Sequence, residues 1–198
     1  MIHIYQKGMN QKTFLLLHGT GGDEQDLIPI AKLLDPTYHI LSPRGNVLEN
    51  GMNRFFKRFG MGKFDIDSVV SETKHLNDFI KKQASNYQID LDSVVGLGFS
   101  NGANILESLI QLYPNSVKYA ILLSPSFIQK DVSFNNLSQT KIFISSSARD
   151  QYTSKEDIEL LVDSLRKAGA NVYVFMHDFG HTITQDVILH VKKWLLEI

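Results

Sequence analysis

Gly98-Phe99-Ser100-Asn101-Gly102 is a G-x-S-x-G pentapeptide that follows an apolar run containing Val94, Val95 and Leu97 and opens a helix-like stretch from Ala103 to Tyr113. In that context it is a candidate nucleophile elbow. At such a turn the chain passes from strand to helix so tightly that the serine stands clear of the sheet, and glycines flank it because side chains there would meet neighbouring backbone. A serine hydroxyl is a weak nucleophile at neutral pH. It needs a histidine to take its proton, an acid to orient that histidine, and N–H donors to hold the oxyanion that forms. The sequence offers Asp150, after Ser145-Ser146-Ser147-Ala148-Arg149, as the acid, and His181, in Phe179-Gly180-His181-Thr182, as the base. Ser100, Asp150 and His181 each follow a candidate strand, in the chain order expected of an elbow-borne nucleophile. The oxyanion donors are then the backbone N–H of Asn101 and one from the Thr20 region, where His18-Gly19-Thr20-Gly21-Gly22 lets the backbone turn its N–H groups toward a ligand. The chemistry these parts could perform is acyl transfer.

Each residue has a plainer reading. Asp150 could cap the helix expected over Lys155 to Ala168, on which Asp157 and Asp163 read as a solvated face. His177 is a rival base, but it ends a strand, whereas His181 sits on a loop able to reach Ser100. His3, His39, His75 and His190 are scattered without ligand spacing. The glycine run at 19 to 22 could be an ordinary turn or a phosphate cradle, although the Gly-Lys-Ser/Thr ending of a P-loop is absent. Gly96-Leu97-Gly98 opens like a dinucleotide fingerprint, but the third glycine falls at 102, one place late, and the next strand ends in Leu122-Leu123-Ser124 without an acid.

The elements that must position these residues alternate between short apolar runs and segments of helical period, the pattern of an α/β protein on a mostly parallel sheet. Strands are expected at Thr13 to His18, Tyr38 to Ser42, Ser93 to Phe99, Val117 to Ser124, Lys141 to Ser146 and Asn171 to His177, with a further one at Ile2 to Gln6. Leu27, Ile30, Ala31 and Leu34 share a helix face, as do Ile158, Leu161, Val162 and Leu165. Val69, Leu76, Phe79 and Ile80 mark another helix, and Val187, Ile188, Val191, Trp194 and Leu195 a terminal one. Pro43 to Phe64 and Pro125 to Gln139 are the least regular stretches, both following strands on the side where such proteins place ligands. The second is too short for a lid domain, which predicts an open site.

The 198 residues suit a single domain spanning 1–198, and the formal charge of -1 favours neither nucleic acid nor an anionic membrane surface. Without cysteine there are no disulfides, thiolate metal sites or cysteine nucleophile. The start, Met1-Ile2-His3-Ile4-Tyr5-Gln6-Lys7, lacks signal-peptide features, and no apolar run approaches membrane-spanning length, so a cytoplasmic protein without membrane insertion is expected.

Taken together, these residues resemble the phospholipase/carboxylesterase family of α/β-hydrolases, which includes acyl-protein thioesterases. The likeness covers nearly the whole chain: Leu-Leu-His-Gly-Thr-Gly-Gly at 16 to 22, Ser42-Pro43-Arg44-Gly45, Gly51-Met52-Asn53-Arg54-Phe55-Phe56, Phe64-Asp65, Gly98 to Gly102, Asp150 and Gly180-His181. It is closest to short bacterial carboxylesterases, including members associated with hydroquinone-responsive operons. The resemblance implies an α/β-hydrolase fold with about seven strands, helices on both faces and no lid domain. It also implies a triad of Ser100, Asp150 and His181 and an oxyanion hole from Thr20 and Asn101. Phe55 and Phe56 are expected to be packing or acyl-pocket residues. Two features depart from the family pattern: Asn101 stands where glutamine is frequent, and Asp150 lacks the frequent preceding glycine and following proline.

The activity expected is that of a serine carboxylesterase acting on small-molecule esters, as monomer or homodimer, with no metal or organic cofactor. A thioesterase or lysophospholipase using the same site is the alternative enzyme reading. A non-catalytic ligand receptor on the same fold is the alternative of another class.

Overall fold

The structure, a computed structural model, describes residues 1–60, 62–114 and 116–198. Seven strands build the main sheet: β1 (His3–Gln6), β2 (Thr13–Leu17), β3 (His39–Pro43), β8 (Val94–Phe99), β9 (Tyr119–Leu123), β10 (Lys141–Ser147) and β11 (Asn171–His177). Their spatial order is β1-β3-β2-β8-β9-β10-β11. Only β1 runs antiparallel, pairing with β3 from His3 opposite Pro43 to Gln6 opposite Ile40. All other neighbours are parallel, so the C-terminal ends of β2, β8, β10 and β11 emerge along one edge, and the four loops that carry the candidate residues share it.

Alternation along each strand divides the core in two. Leu15, Leu17, Ala120, Leu122, Ile142 and Ile144 pack under α2 (Ile66–Tyr87), α3 (Asn101–Leu112) and α4 (Lys155–Lys167). On the other face, Phe14, Leu16, Ile121, Leu123 and Phe143 pack under α1 (Ile28–Leu34) and α5 (Gln185–Leu195). Strand β8 puts Val95 and Leu97 on the α5 side and glycines 96 and 98 beneath α3. A Cβ at Gly98 or Gly102 would overlap the backbone of Gly102 or of Leu17, so these glycines set how closely α3 crosses the sheet.

The expected stripes of α4 and α2 are buried throughout. On α1 the buried face is shifted: Leu27, Ile28, Ala31 and Leu34 are inside, and Ile30 lies at the boundary. The short helix begins with Ile28 and Pro29, and that phase brings Ile28 to the sheet.

Pro43 to Phe64, expected to be irregular, holds two hairpins: β4 (Val47–Glu49) with β5 (Met52–Arg54), and β6 (Arg58–Gly60) with β7 (Lys63–Phe64). The 125 to 139 stretch is loop, anchored by buried Phe127, Ile128 and Leu137. The Gln111 amide donates to the carbonyls of Gln129 and Val132. No described helix is long and apolar enough to cross a membrane.

Candidate active site

Ser100 sits between β8 and α3 with φ 52 and ψ -114. This left-handed backbone costs a non-glycine residue ~1–3 kcal/mol, which the surrounding structure must offset. Its N–H donates to the Leu123 carbonyl at 2.9 Å, and its carbonyl accepts from Asn104 N–H at 3.0 Å, so both neighbouring elements hold the turn. The Asn101 N–H is the first of α3, where a helix has no internal acceptor and the macrodipole is positive.

His181 Nδ1 lies 2.7 Å from Asp150 Oδ2. The Asp150 side chain is fully buried, and that of His181 is 15% exposed. The other carboxylate oxygen, Oδ1, accepts the Tyr152 N–H at 2.8 Å. Because a carboxylate only accepts, Nδ1 carries the imidazole proton and Nε2 is left as the free lone pair. The ring lies between Phe99, 5.2 Å centroid to centroid, and the edge-on ring of Tyr152 at 4.7 Å. His181 and Ser100 open onto the same cavity, about 380 Å³ in volume.

The helix-cap reading of Asp150 does not describe this site, because Ser154 caps α4 by accepting the Asp157 N–H. Asp157 is instead paired with Lys130. His177 is 7% exposed and does not line the cavity. Its Nδ1 accepts the Phe179 N–H, and burial lowers its pKa.

At the end of β2, the Gly21 N–H donates to the Asn53 carbonyl and the Gly22 N–H to the Gly19 carbonyl. Among the described residues the Thr20 N–H has no such partner, and Thr20 lines the cavity with Ser100 and Asn101. The loop is laced to β5. Asn53 Nδ2 donates to the Gly22 carbonyl, and Arg54 Nη1 donates to Thr20 Oγ1 at 2.7 Å.

No protein-family model matches the chain. It is 41% identical over 197 residues to "Putative hydrolase MhqD" of Bacillus subtilis (strain 168), covering 100% of this chain and 98% of that one. The chain belongs to the carboxylesterase-type α/β-hydrolase family. The Bacillus cereus carboxylesterase superposes on this family member with a TM-score of 0.96 at 39% identity, covering 98% of this chain and 92% of that one. The Mesorhizobium loti carboxylesterase does so with a TM-score of 0.91 at 30% identity, covering 96% and 91%.

In this α/β-hydrolase, Phe55 and Phe56 are 1% and 0% exposed and do not line the cavity. Phe55 packs on His18 and Phe56 on Phe64. The acyl-pocket alternative for these two side chains therefore gives way to packing: they lie in the bend after β5, where both are buried against neighbouring rings. The wall on this side is formed by Met52, Arg54, Arg58 and Phe64. Arg44 is not on the wall either; it makes a two-pronged ion pair with Glu24. Asn101 departs from the family's glutamine, yet its Oδ1 accepts the Phe55 N–H at 2.7 Å and ties the elbow to the hairpin segment.

Three residues that organise the site were not identified in the sequence. His18 is 1% exposed. Its Nε2 accepts the Gly45 N–H at 3.0 Å and its Nδ1 meets the Gly19 carbonyl at 2.7 Å, which fixes the Nδ1–H tautomer and holds that carbonyl. Burial lowers its pKa, keeping it neutral. Ser147 Oγ accepts from both Arg149 N–H and Gly180 N–H, joining the loop of Asp150 to the loop of His181. Arg54, 2% exposed, bridges Thr20, the Phe56 carbonyl and Glu49. Burial and the neighbouring Arg58 depress its pKa, and Glu49 opposes them. The visible signals were a histidine adjoining a glycine run, a serine three places before the acid, and an arginine between asparagine and phenylalanine.

Proposed function

We propose that the protein is a serine carboxylesterase that hydrolyses small-molecule esters through an acyl-enzyme. The reading is carried by the 2.7 Å contact of a fully buried carboxylate, Asp150, with His181, which lines the same cavity as Ser100. Ser100 Oγ attacks the acyl carbonyl while His181 Nε2 takes its proton. The carbonyl oxygen becomes an oxyanion held by the Thr20 and Asn101 N–H groups. As the tetrahedral intermediate collapses, His181 returns the proton to the departing alkoxide and the acyl group stays on Ser100. Water, deprotonated by His181, then releases the acid and restores the serine. Asp150 holds the ring and stabilises the imidazolium at each protonation.

A cavity of about 380 Å³ lies near the lower end of the ~300–1,000 Å³ range of ligand sites, which favours short acyl groups. The test is hydrolysis of p-nitrophenyl esters from acetate to octanoate by wild type and Ser100→Ala. Short esters should turn over fastest, and Ser100→Ala should lose about 10⁴-fold or more in kcat while remaining folded. Retained turnover in a folded Ser100→Ala would remove Ser100 as nucleophile.

A further inference from the structure

The cavity has a charge asymmetry that ester hydrolysis alone does not require. From Asn50 to Phe64 the chain holds four basic residues, Arg54, Lys57, Arg58 and Lys63, and no acidic one, although the whole protein carries a net charge of -1. This is the segment that supplies the hairpin wall, and two of the four, Arg54 and Arg58, line the cavity. One carboxylate serves both: Glu49 Oε2 lies 3.5 Å from Arg54 Nε and 3.4 Å from Arg58 Nε. Arg54 is committed to Thr20 and the Phe56 carbonyl. The Arg58 guanidinium, 31% exposed as a side chain, makes no well-aligned hydrogen bond to any described residue. Arg58 therefore lines the cavity, paired only loosely with Glu49, beside a second, buried cation.

The acidic side chain on the cavity wall, Asp26, packs against Gly22 of the loop after β2, which Asn53 and Arg54 tie to the hairpin. The described lining of the cavity thus carries two guanidinium side chains, Arg54 and Arg58, against one carboxylate, Asp26. A leaving alcohol has to reach His181, which is flanked by Tyr152 and Phe99. With the alcohol there, the acyl portion has Arg58 and Phe64 available to it as walls of the same cavity.

We propose that the site selects esters whose acyl portion ends in a carboxylate, that is, half-esters of short dicarboxylic acids, with Arg58 as the residue that binds the free carboxylate and Arg54 as the fixed charge behind it. The proposal rests on the serine-esterase reading for its orientation of substrate. Arginine matches a carboxylate with two parallel, charge-assisted hydrogen bonds.

The experiment compares monoethyl glutarate with ethyl valerate, matched in chain length and differing in the terminal carboxylate, by pH-stat hydrolysis with wild type and Arg58→Gln. The expected result is a kcat/KM at least about tenfold higher for the half-ester, carried mainly by KM and shrinking as salt is raised. In Arg58→Gln the ratio of the two substrates should fall to about one. Turnover of ethyl valerate with no preference for the half-ester would overturn the proposal and leave the esterase reading intact. A preference that survives Arg58→Gln would overturn the role of Arg58. Binding of the same two esters to Ser100→Ala, by calorimetry, tests recognition without turnover. A tighter half-ester supports the proposal even if wild type cleaves neither, a result that would sink the esterase reading alone, and equal binding overturns the proposal.

Discussion

Ser100, Asp150 and His181 follow β8, β10 and β11 at one edge of the parallel sheet, and their proposed roles make unequal demands on substitution. His181→Gln removes the proton acceptor and should lower kcat by about 10²–10⁴-fold. His177→Gln, away from the cavity wall, should leave kcat within a few-fold of wild type. A single kinetic comparison of the two variants decides between the rival bases, and the reverse pattern would exclude His181. Asp150→Asn keeps the shape but offers His181 an amide able to select the wrong tautomer, with an expected loss on the order of 10³–10⁴-fold in kcat. The sequence made Ser100 and His181 legible as candidates through glycine: Gly98 and Gly102 admit the crossing of α3, and Gly180, at φ 72, allows the turn before His181. It did not separate the acid from a helix cap. That decision belongs to Ser154, which takes the capping role and leaves the Asp150 carboxylate to His181 and the Tyr152 N–H.

At the scale of elements, the site is held by ties between loops that are far apart in sequence. Ser147 at the end of β10 receives N–H groups from Arg149 and Gly180, and the Ala148 N–H donates to the His177 carbonyl. Ser147→Ala would leave two N–H groups without their acceptor, at a cost of about 1–3 kcal/mol. Calorimetric melting should therefore show a lower Tm, and kcat should fall as the Asp150 and His181 loops lose register. An unchanged Tm and kcat would mean the tie is dispensable. The hairpins between Pro43 and Phe64 were hidden from sequence reasoning because their strands have only two or three residues each, too few for alternation to register. Their consequence is large nonetheless: they build the wall with Arg54 and Arg58 and turn Phe55 and Phe56 inward.

At the scale of the whole molecule, the least expected residue is Glu107, 1% exposed on α3. Its Oε1 accepts the Ile128 N–H at 3.4 Å, while Oε2 has no partner among the described residues. Burial raises its pKa well above 4.5. In the unfolded chain the carboxyl ionises near its ordinary value, whereas in the folded protein it keeps its proton to higher pH, so over that range the folded state binds more protons. Its contribution to stability is full below pH 4.5 and is lost as pH rises toward the folded pKa. His18 and His177, whose pKa values are lowered by burial, act oppositely: their contribution is full above 6.5 and is lost as pH falls through their folded pKa values. Urea unfolding at several pH values should therefore show the stability of Glu107→Gln declining less between about pH 5 and 8 than that of wild type. Parallel curves would mean that Glu107 is ionised in the folded protein.

The sequence by itself determined the seven main strands, the α/β class, the elbow and the family, because each is written in local patterns: alternation, helical period and glycines placed where a side chain cannot fit. Tertiary structure decided which acid meets which base, which N–H groups remain free at the cavity, and which side chains form its wall. Those outcomes depend on contacts across the sheet, such as Ser147 with Gly180 and Arg54 with Thr20, separated by 33 and 34 positions. No local pattern encodes such pairings, since either partner is an ordinary residue until folding brings the other beside it.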